Sequence, residues 1–293
     1  MNGLKDGWFS ELSTLWPGIS LSLQVEKILH SEKSKYQDIL ILETKSRGRA
    51  LILDGIIQCV EHDEFSYQEM ISFLPLSSHP APKKVLIVGG GDGGVVREVA
   101  KHPCVESIVL VEIDEQVLNV SKKYLPFMCK GLFNPKLTIH IGDGFKYMSE
   151  HQQEYDVIIT DSSDPVGPAV SLFQLSYFEL MKRALKPGGI VCSQAGTVWA
   201  NLDTVIETFN HCKRVFKTTA FGYACVPTYP TGQIGFVMGS LNEETNFKEP
   251  LRIFSENELE QMDLRYYSPE IHRAAFILPR FARTRLNKAL KSI

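Results

Sequence analysis

No cysteine pair in this 293-residue chain sits at metal-site or redox-motif spacing. Its six cysteines, at positions 59, 104, 129, 192, 212 and 225, are scattered, with no C-x-x-C among them. That distribution argues for reduced thiols in a cytoplasmic setting and against a zinc site. Eight histidines show no H-x-x-x-H spacing, so no metal is expected. A basic excess is also missing: the net charge is −3, which gives no footing for nucleic acid. No block of like charge suggests an electrostatic tail. No apolar run is long enough to span a membrane, and Met1–Asp6 lacks the apolar core of a signal peptide. What remains is a soluble, cytoplasmic protein acting on something small.

What is there divides in two. Up to Glu64 the chain alternates apolar and polar residues in short runs, as in Ile19–Val25, Asp38–Glu43 and Ala50–Gln58, with Arg47-Gly48-Arg49 and Asp54-Gly55 at the corners. This period-two pattern predicts a small antiparallel β-domain over residues 1–64. So small a sheet has little core of its own and must lean on the next domain or on a second copy, giving a homodimer. From Phe65 to the end, residues 65–293, strands alternate with helix-length segments. Lys84–Val88, Ser107–Glu112, Leu137–Ile141, Asp156–Thr160 and Gly189–Ser193 read as strands. Gly94–Lys101, Glu115–Tyr124 and Phe173–Ala184 carry apolar residues at helical spacing. The alternation predicts an α/β domain built on a parallel sheet with helices on both faces.

The first strand of that domain runs into Gly89-Gly90-Gly91-Asp92-Gly93-Gly94, which satisfies G-x-G-x-x-G between a strand and a helix. Glycines allow the tight turn and the close approach of backbone to ligand. The second strand ends at Glu112, 21 residues after Gly91, where a carboxylate can accept both hydroxyls of a ribose. Two ligand classes fit: a dinucleotide, or an adenosyl sulfonium. At the third strand's end, Asp143 and Gly144 suit the amine and edge of an adenine. Asp92 sets a negative charge where a pyrophosphate would sit, and so favours the cation.

The fourth strand, ending at Thr160, delivers Asp161-Ser162-Ser163-Asp164-Pro165. Two carboxylates thus leave one strand end together, where ligands sit in open α/β sheets. Pro165 and Gly167-Pro168 are expected to hold the exit in a loop.

Together, the glycine loop, Glu112-Ile113-Asp114, Gly142-Asp143-Gly144, the Asp161–Pro165 motif and Pro227-Thr228-Tyr229-Pro230 resemble the polyamine aminopropyltransferases. Likeness extends over nearly the whole chain, from Gly7-Trp8-Phe9-Ser10-Glu11 to His272-Arg273-Ala274-Ala275-Phe276. The resemblance implies a class I methyltransferase-like (Rossmann-like) catalytic domain preceded by the β-domain. It implies transfer of an aminopropyl group from decarboxylated S-adenosylmethionine, a co-substrate and not a bound cofactor, to putrescine. It assigns Gln37, Gln58, Gln68, Asp92, Glu112, Asp143 and Gly144 to the donor, and Asp161 as the base. Tyr67, Asp161, Asp164 and Tyr229 fall to the amine, with Trp16 and Glu11 at the far end of its channel and residues 161–173 as a closing loop. One departure stands out: the family usually carries a glutamate where this chain has Gly196, near the amine site. The alternatives are a spermine synthase, a putrescine N-methyltransferase, a dehydrogenase, and a non-catalytic nucleoside-binding paralogue. Asp92 and the lack of a hydride-handling His or Cys at the strand ends disfavour the dehydrogenase.

The implied chemistry is demanding. An alkylamine resembles lysine, so deprotonating it at pH 7 costs roughly 4–5 kcal/mol, yet only the neutral amine carries a lone pair for attack. Such a site has to attract a dication and then take one proton from it.

Overall fold

The alternating N-terminal pattern folds as one six-stranded antiparallel sheet whose strands pair in sequence order. These are β1 (Leu4–Lys5), β2 (Trp8–Ser10), β3 (Ser22–Lys33), β4 (Asp38–Thr44), β5 (Gly48–Leu53) and β6 (Ile56–Val60). The computed structural model describes residues 3–164 and 167–289. Pro165 and Val166 of the expected loop lie outside the described residues, as do Met1, Asn2 and residues 290–293 of the two expected domains. Asp54 and Gly55 both take positive φ, 48° and 80°, as a two-residue hairpin turn between right-twisted strands requires. The expected strand Ile19–Val25 is displaced: β3 begins at Ser22 and continues to Lys33. Its second half is mostly exposed or half-buried and is bulged on both sides of Lys27–Ile28, which removes the period-two signal.

The second sheet has seven strands: β7 (Lys84–Gly89), β8 (Ser107–Glu112), β9 (Leu137–Ile141), β10 (Tyr155–Asp161), β11 (Leu185–Gln194), β12 (Thr218–Cys225) and β13 (Gln233–Ser240). Their order is β12-β13-β11-β10-β7-β8-β9. β7 to β11 run parallel, as expected, whereas β13 lies antiparallel to both β11 and β12. That hairpin is an addition to the expected parallel sheet. β13 is buried along almost its whole length and so shows no alternation. The helices are α1 (Glu64–Ser78), α2 (Gly94–Lys101), α3 (Glu115–Tyr124), α4 (Pro126–Cys129), α5 (Gly144–Glu150), α6 (Leu175–Ala184), α7 (Leu202–Val215), α8 (Glu256–Gln261), α9 (Pro269–Ala274) and α10 (Arg280–Ala289). α1 precedes the glycine loop and is buried nearly all round.

The first sheet packs against helices of the second domain. Ile39, Ile41, Leu51 and Cys59 of the first pack on Val117 and Val120 of α3 and on Leu125 and Met128. Burying an aliphatic side chain contributes about 1.5–3 kcal/mol, so this seam fixes the β-domain over the carboxyl ends of the parallel strands. The opposite face of the β-domain closes on Phe9, Leu23, Leu42, Ile52 and Val60. No helix among the described residues is long and apolar enough to cross a membrane.

Candidate active site

Parallel pairing of β7, β8, β9 and β10 sends Gly89, Glu112, Gly142-Asp143 and Asp161 off the same edge of the sheet. There they meet the underside of the β-domain, and a cleft opens between the two. Gly89, with φ 80°, is the tightest point of the turn, and a Cβ on it would collide with the carbonyl oxygen of Asp161. A Cβ on Gly90 would stand 2.8 Å from Asp161 Oδ2. Only glycine lets the loop and the carboxylate lie this close.

Of the residues expected to hold a donor, Gln37, Gln58, Asp92, Glu112, Asp143 and Gly144 all line this cleft. Glu112 is buried; its Oε2 accepts from Gly91 N (3.1 Å) and its Oε1 from Asp114 N (2.9 Å). Burial pushes its pKa up to about 7. Each oxygen still has a free lone pair for a ligand hydroxyl. Asp92 accepts from Gly94 N at 2.7 Å, and burial raises its pKa as well. Asp143 caps α5 by accepting from Phe145 N at 2.8 Å. Gln68 is not on the cleft surface: it is buried under the glycine loop, where its side chain supports Asp92 and its Nε2 faces Met128 Sδ at 3.9 Å.

At the other end, Trp16, Tyr67, Asp161, Asp164 and Tyr229 also line the cleft. Tyr67 donates its hydroxyl to Asp161 Oδ1 at 2.6 Å, leaving Asp161 Oδ2 buried with no partner. Burial, then the nearby charge of Asp92, pushes the Asp161 pKa up to about 8. Asp164 Oδ1 accepts from Gln194 Nε2 at 3.3 Å, and burial raises its pKa. The Tyr229 ring lies 5.8 Å from that of Tyr67, and its hydroxyl donates to the Gln58 carbonyl at 2.5 Å. Glu11 stands behind the cleft wall. It is fully buried, with Oε2 accepting from Ile57 N at 2.6 Å and Oε1 unpartnered. Burial pushes its pKa to about 7 against the lowering effect of that bond, with the charge of Asp164 adding to the rise.

Gly196 lines the cleft with φ 70°, and a Cβ there would come 2.9 Å from Asn201 Oδ1. Restoring a side chain at this position therefore meets strain in the backbone and a contact with Asn201. Ala169, Ser171 and Leu172 line the cleft from a 3₁₀ stretch, Gly167–Phe173, where a plain loop was expected.

Sequence reasoning missed Asp114 as an organiser. Its Oδ2 accepts from Ser34 Oγ (2.6 Å) and Gln37 Nε2 (2.9 Å), tying a β-domain turn to the start of α3. An acid two residues past Glu112, at a helix N-cap, was the available signal.

Charge gives the cleft its character. Asp54, Asp92, Glu112, Asp143, Asp161 and Asp164 line it, and no lysine, arginine or histidine stands among its described lining residues. No group of three or more metal-ligating side chains is gathered among the described residues. An acid-lined cleft thus sits at the strand ends of a methyltransferase-like α/β fold: the chain has the build of a transferase.

Comparison with known proteins narrows the class. Residues 64–249 match the family model described as the spermine/spermidine synthase domain, and residues 7–61 match the spermidine synthase tetramerisation domain. Spermidine synthase of Dictyostelium discoideum is 53% identical over 98% of this chain and 100% of its own length. That of Schizosaccharomyces pombe is 51% identical over 99% and 97%. A crystal structure of spermidine synthase in complex with the transition state analogue AdoDATO superposes with a TM-score of 0.89 at 32% identity, covering 98% of this chain and 97% of that one. Spermidine synthase from Thermotoga maritima superposes at 0.87, with 33% identity and 96% and 94% covered. The chain belongs to the spermine/spermidine synthase family.

Proposed function

We propose that the chain is a spermidine synthase, moving the aminopropyl group of decarboxylated S-adenosylmethionine onto putrescine to give spermidine and methylthioadenosine. The observation that carries this reading is an acid-lined cleft without a basic residue, in which Tyr67 orients a carboxylate whose second oxygen is free. Both substrates are cations, and such a cleft attracts them while offering nothing to a donor's carboxylate.

Glu112 takes the ribose hydroxyls, Asp143 and Gly144 the adenine edge, and Asp92 the ammonium of the aminopropyl arm. Gln68 braces Asp92 from below, and Gln37 and Gln58 wall the donor from the β-domain. Trp16, Tyr67, Asp164 and Tyr229 align the diamine, with Glu11 adding negative potential at its far end. Asp161 Oδ2 takes a proton from the near ammonium. The freed lone pair attacks the methylene beside the sulfonium, a C–N bond forms, and the C–S pair returns to sulfur as a neutral thioether. Holding both reactants in line supplies much of the acceleration. Residues 1–64 act as the substrate-covering and oligomerising β-domain, and residues 65–293 as the catalytic domain.

Methylthioadenosine release with putrescine, cadaverine, spermidine and no acceptor tests the reading. Putrescine should be used best; release without acceptor, or with spermidine preferred, overturns it. The stretch of wall formed by Gln194, Gly196, Thr197 and Asn201 carries no acid of its own, which is the reason to include longer amines.

The chain assembles through its β-domain, where Trp8, Leu12, Ile19 and Ile28 stand exposed. We take the unit to be a homodimer; sedimentation at micromolar concentration should give twice the chain mass, and four times that mass would make the tetramer the unit instead. Its six free cysteines fit a cytoplasmic setting.

A further inference from the structure

Asp63 occupies the N-cap position of α1, yet its side chain makes no cap bond. Both its oxygens turn away, to a residue 165 positions downstream: Oδ2 accepts from Thr228 N and Oδ1 from Thr228 Oγ1, each at 2.8 Å. The two residues are buried, Asp63 at 4% and Thr228 at 6% exposure, and neither lines the cleft. Each is adjacent to something that does. Asp63 starts the turn of helix that carries Tyr67; Thr228 precedes Tyr229. The Tyr229 loop is pinned on its other side by Tyr229 N donating to Val226 O (3.0 Å) and Val226 N donating to Gly232 O (3.0 Å). It has a strained point at Thr231, with φ 63°.

From this arrangement we infer that Asp63 and Thr228 form a clamp that sets the spacing of Tyr67 and Tyr229, and that they are positioning residues for the amine acceptor. The inference rests on the proposed aminopropyl transfer. Tyr67 needs no help from the loop, since it is held by α1 and by Asp161. Tyr229 depends on the loop for its place, and the clamp is the bidentate, buried bond between the loop and the helix. An N-cap acid diverted from its own helix gives up a local stabilisation, and what it gains is a fixed relation between the two rings that flank the acceptor. Losing the Thr228 hydroxyl loosens the backbone beneath Tyr229, whose ring is then held mainly by its hydroxyl bond to the Gln58 carbonyl, without touching Glu112, Asp143 or Asp92, so the consequence belongs to the acceptor and not to the donor.

Steady-state kinetics on the full chain test this with Thr228→Val, which removes Oγ1 at nearly constant shape, and Thr228→Ser, which keeps it. For Thr228→Val the acceptor KM should rise about tenfold, the size expected for a lost hydrogen bond to a charged partner, with donor KM and kcat within about twofold of the parent. Thr228→Ser should match the parent. Combined with Tyr229→Phe, Thr228→Val should add little, because both act through one ring. An unchanged acceptor KM, an equal rise in both KM values, or fully multiplicative effects overturns the clamp. If Thr228→Val does not fold, Asp63→Asn is read by the same split, and failure of both to fold reduces the pair to a folding device and overturns the proposal. A parent chain that releases no methylthioadenosine with any amine overturns the functional reading instead.

Discussion

At the scale of single residues, the two acids of the Asp161–Asp164 motif have different surroundings and should fail differently when changed. Asp161 has one oxygen held by Tyr67 and the other buried and free, the arrangement of a proton acceptor. Asparagine in its place can still accept from Tyr67 but cannot take a proton. Asp161→Asn is expected to cost roughly 10²- to 10⁴-fold in kcat, with donor affinity intact because Glu112 and Asp143 are untouched. The defect should shrink in alkali, where solution supplies the neutral amine. Asp164, bonded to Gln194, holds charge: Asp164→Asn should raise the acceptor KM more than it lowers kcat. Equal, moderate kcat losses with one pH profile would show that Asp161 is no base. Glu112, Asp161 and Asp164 were legible in the sequence because each follows an apolar strand whose carboxyl end must face the cleft. The positions of Glu11 and Gln68 behind the wall were not, since a motif records which residues are near in the chain and not which of them another side chain covers. Thr228 lies in the Pro227–Pro230 motif, but its pairing with Asp63, 165 positions away, leaves no local trace.

At the scale of elements, legibility followed periodicity. β7, β8 and β10 are short apolar runs ending in a glycine or an acid, β9 alternates as Leu-Thr-Ile-His-Ile just before Gly142, and all four fold where expected. α1 escaped notice as a helix because burial on nearly every side leaves it no polar face to mark the 3.6-residue period. The same absence of contrast hid β13. The glycine turn between β7 and α2 is the element most constrained by its neighbours. Gly89→Ala puts a methyl group into the Asp161 carbonyl at φ 80°, so β10 must move or the turn must open. Strain of this kind costs of order 1–3 kcal/mol, and about 2–4 °C of Tm per kcal/mol applies for chains near this size. Calorimetry should show that loss together with loss of donor binding. A Tm equal to the parent's would mean that the turn has room the structure does not show.

At the scale of the whole molecule, the cleft stores an electrostatic penalty that only its ligands relieve. Burial and mutual repulsion push Glu11 and Glu112 to about 7 and Asp161 to about 8, each well above its unfolded value near 4. A carboxyl with a raised folded pKa favours the folded state fully below its unfolded pKa, and that contribution is lost as pH rises through the folded pKa. Buried His102 and His272 run the other way: held neutral by burial, with pKa near 4, they favour folding above the unfolded value near 6.5 and lose that contribution as pH falls toward 4. Between pH 4 and 6.5 the two sets oppose each other; from pH 6.5 to 8 the acids dominate, opposed only toward the upper end by Lys213, whose ammonium pKa is lowered by burial to about 8. Substrate-free protein should therefore lose Tm as pH rises from 6.5 to 8, and saturating putrescine should remove most of that slope, because a dication in the cleft restores the ionised acids to favourable company. Thermal unfolding across this range, with and without putrescine, measures both slopes directly. A substrate-free Tm that climbs through pH 8, or a putrescine effect equal at pH 6.5 and 8, would show that these acids are already ionised in the empty cleft and that the penalty is carried by some other part of the fold.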